Sequence, residues 1–158
     1  MNIKLIVVGK TDKSYFSEAE NEYLNRLKHY IKVNYITIPE LKKTKNLSPA
    51  QITTKEGELI LKHLNPTDDV WLMDEKGKQK TSVQFSDFLQ KKMNQGIKDL
   101  VFIIGGAYGF SDEIYAKYPS KFSLSNMTFS HQMIRTFLLE QIYRGMTILK
   151  GQPYHNEG

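Results

Sequence analysis

The sequence contains no cysteine, and this absence excludes disulfide bonds and thiolate metal sites. A chain without cysteine is typical of a reducing compartment, so we expect a cytoplasmic protein. No run of about 18 apolar residues occurs, which excludes a membrane-spanning helix. The four histidines lack the spacing of a metal site, so we expect no bound metal ion. Internal repeats and low-complexity segments are also absent.

The composition is that of a folded, basic protein. Of its 158 residues, 40% are hydrophobic, enough for one core, and we expect one domain over residues 1–158. The formal net charge of +5 is compatible with a polyanionic partner such as RNA, although many small soluble proteins are this basic and a surface that contacts only solvent is the commoner explanation. Lysines cluster at 42–45, 76–80 and 91–92.

The order of apolar segments predicts an α/β fold. Because the strands are apolar on both faces, they favour a mostly parallel sheet with helices on both sides. Ser48 followed by Pro49 is typical of a helix start, and Ser82 is predicted to cap the next helix. The predicted strands are 3–8, 33–38, 69–74, 99–106 and 121–125, and the predicted helices are 12–30, 49–64, one after Ser82, 112–117 and 130–149.

Ligands of parallel α/β sheets bind at the carboxyl ends of strands. Gly105, Gly106 and Gly109 follow the most apolar strand, and they would let backbone amides approach a ligand or would simply form a tight turn. No Gly-Lys-Ser/Thr follows, so the loop suits a nucleoside better than a triphosphate. Asp74 ends another strand, as a ligand contact or as a turn former before the "EKGK" segment.

The last predicted helix starts with a histidine and an arginine. The preceding segment, 124–129 ("LSNMTF"), would line a pocket or merely turn the chain. His131 and Arg135 share an i,i+4 face away from the apolar stripe, so we expect both to be exposed and to bind one anionic group. Glu140 and Arg144 are spaced for a structural ion pair.

Two residues near the C-terminus can do chemistry. Terminal tails usually fray, but Tyr154 can stack on a base and the imidazole of His155 can accept a proton. On this pattern alone, a frayed tail is the ordinary interpretation, and a functional tail remains the alternative.

Six segments carry a resemblance that runs from end to end of the chain. They are "VVGK", "EYLNRL", "KEGE", "IIGGAYGF", "LSNMTFSHQMIRTFLLEQIYRG" and "PYH". With them the chain resembles the bacterial ribosomal RNA large subunit methyltransferase H family, which belongs to the SPOUT (α/β-knot) class. Ser130 stands where that family commonly has proline, and serine is a good helix cap.

The resemblance implies a C-terminal trefoil knot, a homodimer and S-adenosylmethionine as methyl donor. The implied substrate is N3 of a pseudouridine in 23S ribosomal RNA on the assembled ribosome, methylated without a metal ion. The cofactor contacts carried over by match are Met73, Gly105, Leu124, Ser125, Asn126, Met127, Thr128 and Phe129.

Residue type and helix face suggest catalytic roles for such a reaction. We expect His155 to accept the N3 proton and Tyr154 to pack on the base, both contributed across the dimer. His131 and Arg135 would bind phosphate or the uracil oxygens. Two alternatives remain open: a non-enzymatic, ribosome-associated RNA-binding protein, which would not need a nucleoside-sized pocket, and a methyltransferase acting on transfer RNA. Labelling of ribosomes, free 23S RNA or transfer RNA distinguishes them.

Overall fold

The computed structural model describes residues 1–156, and its centre is a five-stranded parallel sheet. The strand order is β2-β1-β4-β3-β5, and every neighbouring pair is parallel. This confirms the predicted α/β architecture. The strands are β1 (Asn2–Val8), β2 (Val33–Ile38), β3 (Asp69–Gln79), β4 (Asp99–Ile104) and β5 (Lys121–Ser123).

Five α-helices cover the two faces of the sheet. Helices α1, α3 and α5 pack together on one face, and α2 and α4 lie on the other. Within residues 1–156, no helix is long and apolar enough to cross a membrane. The helices are α1 (Ser14–Leu27), α2 (Pro49–Leu61), α3 (Ser82–Asn94), α4 (Asp112–Lys117) and α5 (Met133–Leu149).

Side chains that alternate along each strand divide the core into two layers. In β4, Leu100, Phe102 and Ile104 face the layer shared with α3 and α5. Val101 and Ile103 face the layer shared with α2 and α4. Both layers are buried, which explains why the strand is apolar at every position from Leu100 to Ile104.

The helix starts confirm one predicted cap, correct another, and move the predicted start of the last helix. Ser48 caps α2, and its hydroxyl accepts a hydrogen bond from the Gln51 amide at 3.2 Å. The predicted cap at Ser82 is wrong, because Thr81 is the N-cap of α3 and its hydroxyl accepts from the Gln84 amide at 3.2 Å. Helix α5 begins at Met133 rather than at residue 130.

Strand β3 continues beyond its predicted end at Asp74. Met73 and Lys78 both pair with Phe122, so the pairing register shifts between them and β3 continues alongside β5 to Gln79. A Cβ on Gly77 would lie 2.6 Å from the Phe122 backbone, so this close approach requires glycine. The predicted turn at "EKGK" is therefore wrong. We call residues 74–80 the strap.

Candidate functional site

A cavity of about 520 Å³ lies where residues 73–76, in the middle of β3, meet the carboxyl ends of β4 and β5. The three segments predicted to meet there do meet: the residues around Asp74, the glycine loop 105–109, and the segment that follows β5. Parallel strands bring their carboxyl ends to one edge of the sheet, and this is the physical reason for the meeting. Among residues 1–156, no group of three or more histidine, aspartate or glutamate side chains could hold a metal ion.

Most residues predicted to contact a cofactor line this cavity. The exception is Asn126, whose side-chain oxygen instead accepts a hydrogen bond from Gln79 of the strap. His131, predicted as an anion contact, also lies in the wall. The predicted residues in the wall are Met73, Gly105, Leu124, Ser125, Met127, Thr128 and Phe129.

The glycine loop forms its part of the wall with backbone. A Cβ on Gly105 would lie 2.9 Å from the Gly109 carbonyl oxygen, so the two loop ends approach too closely for a side chain. Gly109 has a φ of 75°, a conformation that favours glycine, and its amide donates to the Gly106 carbonyl at 3.2 Å. At the three glycines, backbone therefore borders the cavity, and Ala107 and Tyr108 of the same loop complete this part of the wall.

The segment after β5 is held by its own hydroxyls and by the strap. The Ser125 hydroxyl accepts from the Met127 amide at 2.9 Å, which tightens the turn. The Thr128 hydroxyl donates to Glu75 Oε2 at 2.8 Å. The Met127 side chain is 75% exposed, so it stands at the cavity rim rather than in the core.

A tyrosine–aspartate pair lines the cavity, and the sequence signalled only half of it. The Tyr115 hydroxyl donates to Asp74 Oδ2 at 2.6 Å. Burial raises the pKa of Tyr115 to about 12, helped by that hydrogen bond and by the charge of Asp74. Asp74 was recognisable in the sequence because it ends the predicted strand 69–74. Tyr115 lies within α4, and no sequence signal marked it.

Arg135 is fully buried, so the prediction that it is exposed is wrong. Its Nη2 donates to the Val8 carbonyl at 2.7 Å, and its Nη1 donates to the Gly9 carbonyl at 3.0 Å. Its Nε donates to the His131 carbonyl at 3.0 Å. The guanidinium therefore fastens the first turn of α5 to the carboxyl end of β1, and it does not reach the cavity wall.

The buried charge of Arg135 is balanced through a hydroxyl. Its Nη1 also donates to the Thr11 hydroxyl at 3.1 Å, and that hydroxyl donates to Glu20 Oε1 at 2.9 Å. Tyr35 donates to the other oxygen of Glu20 at 3.0 Å. Burial raises the pKa of Tyr35 to about 12, with a further contribution from the Glu20 charge. Tyr35 therefore remains a neutral donor in this network at physiological pH.

The C-terminal tail does not line the cavity of its own chain. The Tyr154 hydroxyl donates to Glu140 Oε1 at 3.2 Å, and Arg144 Nη1 lies 3.2 Å from His155 Nδ1. Arg144 lies about 16 Å along the helix axis from Met133. The predicted Glu140–Arg144 ion pair is confirmed, with a separation of 2.7 Å. Burial and the nearby Tyr23 hydroxyl raise the pKa of Tyr154 above its ordinary value.

Comparisons with known proteins agree with this geometry. The family model described as "Predicted SPOUT methyltransferase" matches residues 1–155. The chain is thus a member of the SPOUT methyltransferases, and membership implies the predicted C-terminal trefoil knot.

Curated relatives narrow the assignment. A protein of Parabacteroides distasonis is 60% identical over 157 residues, which cover 99% of this chain and 100% of the relative. Proteins of Flavobacterium psychrophilum and Bacteroides thetaiotaomicron are 57% and 52% identical, with the same coverage. All three are named "Ribosomal RNA large subunit methyltransferase H". The chain belongs to the ribosomal RNA large subunit methyltransferase H family.

Proposed function

We propose that this protein transfers the methyl group of S-adenosylmethionine to N3 of a pseudouridine in 23S ribosomal RNA on the assembled ribosome. The observation that carries the proposal is the cavity formed jointly by Met73, the glycine loop and residues 124–129. The names of the relatives support the substrate class. We further propose that residues 1–158 act as one α/β-knot domain in the cytoplasm.

The cavity fits the cofactor. Its volume of about 520 Å³ lies within the range of about 300–1,000 Å³ that is usual for small-molecule sites. The backbone wall at Gly105 and Gly106 and the small polar side chains of Ser125 and Thr128 suit the polar edges of a nucleoside. Met73, Leu124 and Phe129 offer apolar surface to its rings. When bound, the cofactor supplies an electrophilic methyl carbon, so its transfer needs no metal ion.

The chain itself must orient the acceptor base and remove the N3 proton. We assign proton removal to the imidazole of His155 and packing on the base to Tyr154. His131, at the cavity wall, is placed to contact a phosphate or a uracil oxygen. Arg135 is reassigned as a positioning residue, because its donors are all directed at the protein's own backbone and at Thr11.

We propose a homodimer in which the tail of one copy completes the cavity of the other. Within one chain the tail packs along α5 against Glu140 and Arg144 and leaves the cavity open on that side. Apolar side chains next to the cavity also need a cover: Met133 and Phe137 are 38% and 39% exposed. Phe137 contacts Phe129 of the cavity wall, with ring centroids 5.0 Å apart. A second copy on this face would bury them.

The test compares His155→Ala with the neighbouring exposed control Asn156→Ala. We expect the His155 variant to lose methylation of ribosomes while calorimetry finds unchanged affinity for S-adenosylmethionine. The control should retain both properties. Near-normal turnover would remove His155 as proton acceptor, and lost cofactor affinity in this variant would make its role structural.

The substrate is tested by labelling with the wild-type protein. Methyl label should enter intact ribosomes in preference to free 23S RNA and transfer RNA. Label in transfer RNA alone would replace the proposed substrate. A purified protein that binds ribosomes but ignores S-adenosylmethionine would be a non-enzymatic RNA-binding protein, and the proposed function would fail.

A further inference from the structure

The strap has two faces with different contacts. The pairing register shifts between Met73 and Lys78, so the faces are defined by contacts: Glu75, Gly77 and Gln79 face β5 and the segment that follows it. Glu75 and Gln79 hydrogen-bond Thr128 and Asn126, and Gly77 lies against the Phe122 backbone. This face of the strap is therefore covered by β5 and by residues 124–129.

The opposite face carries two exposed lysines, Lys76 and Lys78. Within residues 1–156, neither forms an ion pair, whereas Lys92 and Lys4 lie 2.6 Å and 2.8 Å from aspartates. Lysines without a carboxylate partner in direct contact can still approach and bind an external anion.

The carboxylates nearest in sequence are already engaged. Asp74 accepts from the Lys76 amide at 2.8 Å and from Tyr115 at 2.6 Å. Glu75 accepts from Thr128 at 2.8 Å. Neither carboxylate therefore neutralises the lysine side chains by direct contact, and the positive charge of this face is available to a ligand.

We propose that Lys76 and Lys78 bind backbone phosphates of the RNA strand that carries the target nucleotide. This inference rests on the proposed function. Lys76 lies in the wall of the cavity, and every nucleotide whose base enters that cavity has a phosphate on each side. RNA is favoured over an acidic protein because a phosphodiester chain must cross the rim here if the base is to reach the cofactor. The strap would thus contact residues 124–129 with one face and the RNA substrate with the other.

The experiment compares two double variants with equal loss of charge. Lys76→Gln/Lys78→Gln removes the proposed contacts. Lys55→Gln/Lys62→Gln removes two exposed lysines at α2, on the sheet face away from α3 and α5. Glutamine removes the charge and keeps a polar side chain of similar length. The midpoint of urea unfolding should be unchanged in both, which establishes an intact fold. Because Lys76 lies in the cavity wall, calorimetry measures the affinity of each variant for S-adenosylmethionine, and ribosome binding and kcat/KM are compared at saturating cofactor.

The decisive measurement is the salt dependence of ribosome binding by co-sedimentation and of kcat/KM. Each lost phosphate contact lowers the slope of log affinity against log salt by about 0.7–0.9, so two contacts change the loss between about 50 and 200 mM salt by about tenfold. We expect this flattening, with a raised KM and an unchanged kcat, only for the strap variant. The control should retain the wild-type slope.

Three results would overturn the inference. The strap variant could keep the wild-type slope, or both variants could flatten equally, which would indicate a general charge effect. The strap variant could also weaken ribosome binding while its affinity for a protein-free 23S RNA fragment stays at the wild-type value, which would indicate contact with a ribosomal protein. Failure of the proposed function is distinguishable, because wild-type protein would then not methylate ribosomes at all, whatever the slopes.

Discussion

Replacing Arg135 with methionine should destabilise the protein strongly, because the arginine is wholly buried and its donors are used internally. The change leaves the carbonyls of Val8 and Gly9 without their donors at 2.7 Å and 3.0 Å. Each hydrogen bond from a charged group contributes about 1.5–3 kcal/mol, and removal of the buried charge returns part of the loss. We therefore expect the free energy of unfolding to fall by about 3–5 kcal/mol.

Equilibrium urea unfolding at one fixed protein concentration measures this loss, since the stability of an oligomer depends on concentration. The matched control is Arg26→Met, which breaks an exposed ion pair with Glu22 of 2.7 Å and should lower the stability far less, because solvent screens an exposed pair. The Arg135 variant should also bind S-adenosylmethionine more weakly, because Arg135 fixes the turn at His131 beside the cavity. A loss below about 1 kcal/mol, together with weakened RNA binding, would refute the positioning role and restore an exposed, RNA-binding arginine.

Two further substitutions test the packing around the glycines. Gly77→Ala would place a methyl group 2.6 Å from the Phe122 backbone and should cost about 1–3 kcal/mol or more, judged by urea unfolding. Gly96→Ala, with open space and a φ of 72°, should cost about 1–2 kcal/mol, and equal losses would contradict the close contact. Burial and repulsion from Glu40 raise the pKa of Glu56, so its ionisation destabilises the fold as pH rises above the ordinary glutamate range. Glu56→Gln should therefore be more stable than wild type near pH 7, with a gap that narrows towards about pH 4; a constant gap would refute this.

The sheet was predictable because its strands carry their signal locally. Apolar runs buried on both faces, separated by helical periodicity, identify a parallel sheet without any tertiary information. The strap was missed because "DEKGKQ" has no apolar pattern. It is a strand only through backbone pairing with β5, 40 or so residues further along the chain, and such pairing leaves no trace in side-chain hydrophobicity.

The site was predictable where topology alone decides it. The glycine loop and residues 124–129 both follow strands, and parallel strands must bring them together. Arg135 was placed wrongly because a helical wheel identifies only the stripe that faces the sheet. Arg135 lies outside that stripe and is buried by the loop after β1. Its hydrogen-bond partner Gly9 in that loop is 126 residues away in the sequence. The packing of the tail against Glu140 likewise depends on a fold-back that periodicity cannot reveal.

The strap and Arg135, the two features that the sequence analysis predicted wrongly, hold residues 124–131 at opposite ends. The strap hydrogen-bonds Asn126 and Thr128, and Arg135 ties the start of α5 to β1 just beyond His131. A binding segment fixed at both ends loses little conformational freedom when a ligand arrives, so less of the binding energy is spent on ordering it. By our proposal, one chain alone forms the site of the methyl donor. The acceptor side needs a base, its phosphates and a proton acceptor, and by our proposals these come from the RNA and from the tail of a second copy. Methyl transfer would then wait for both to assemble around a cavity that is already formed.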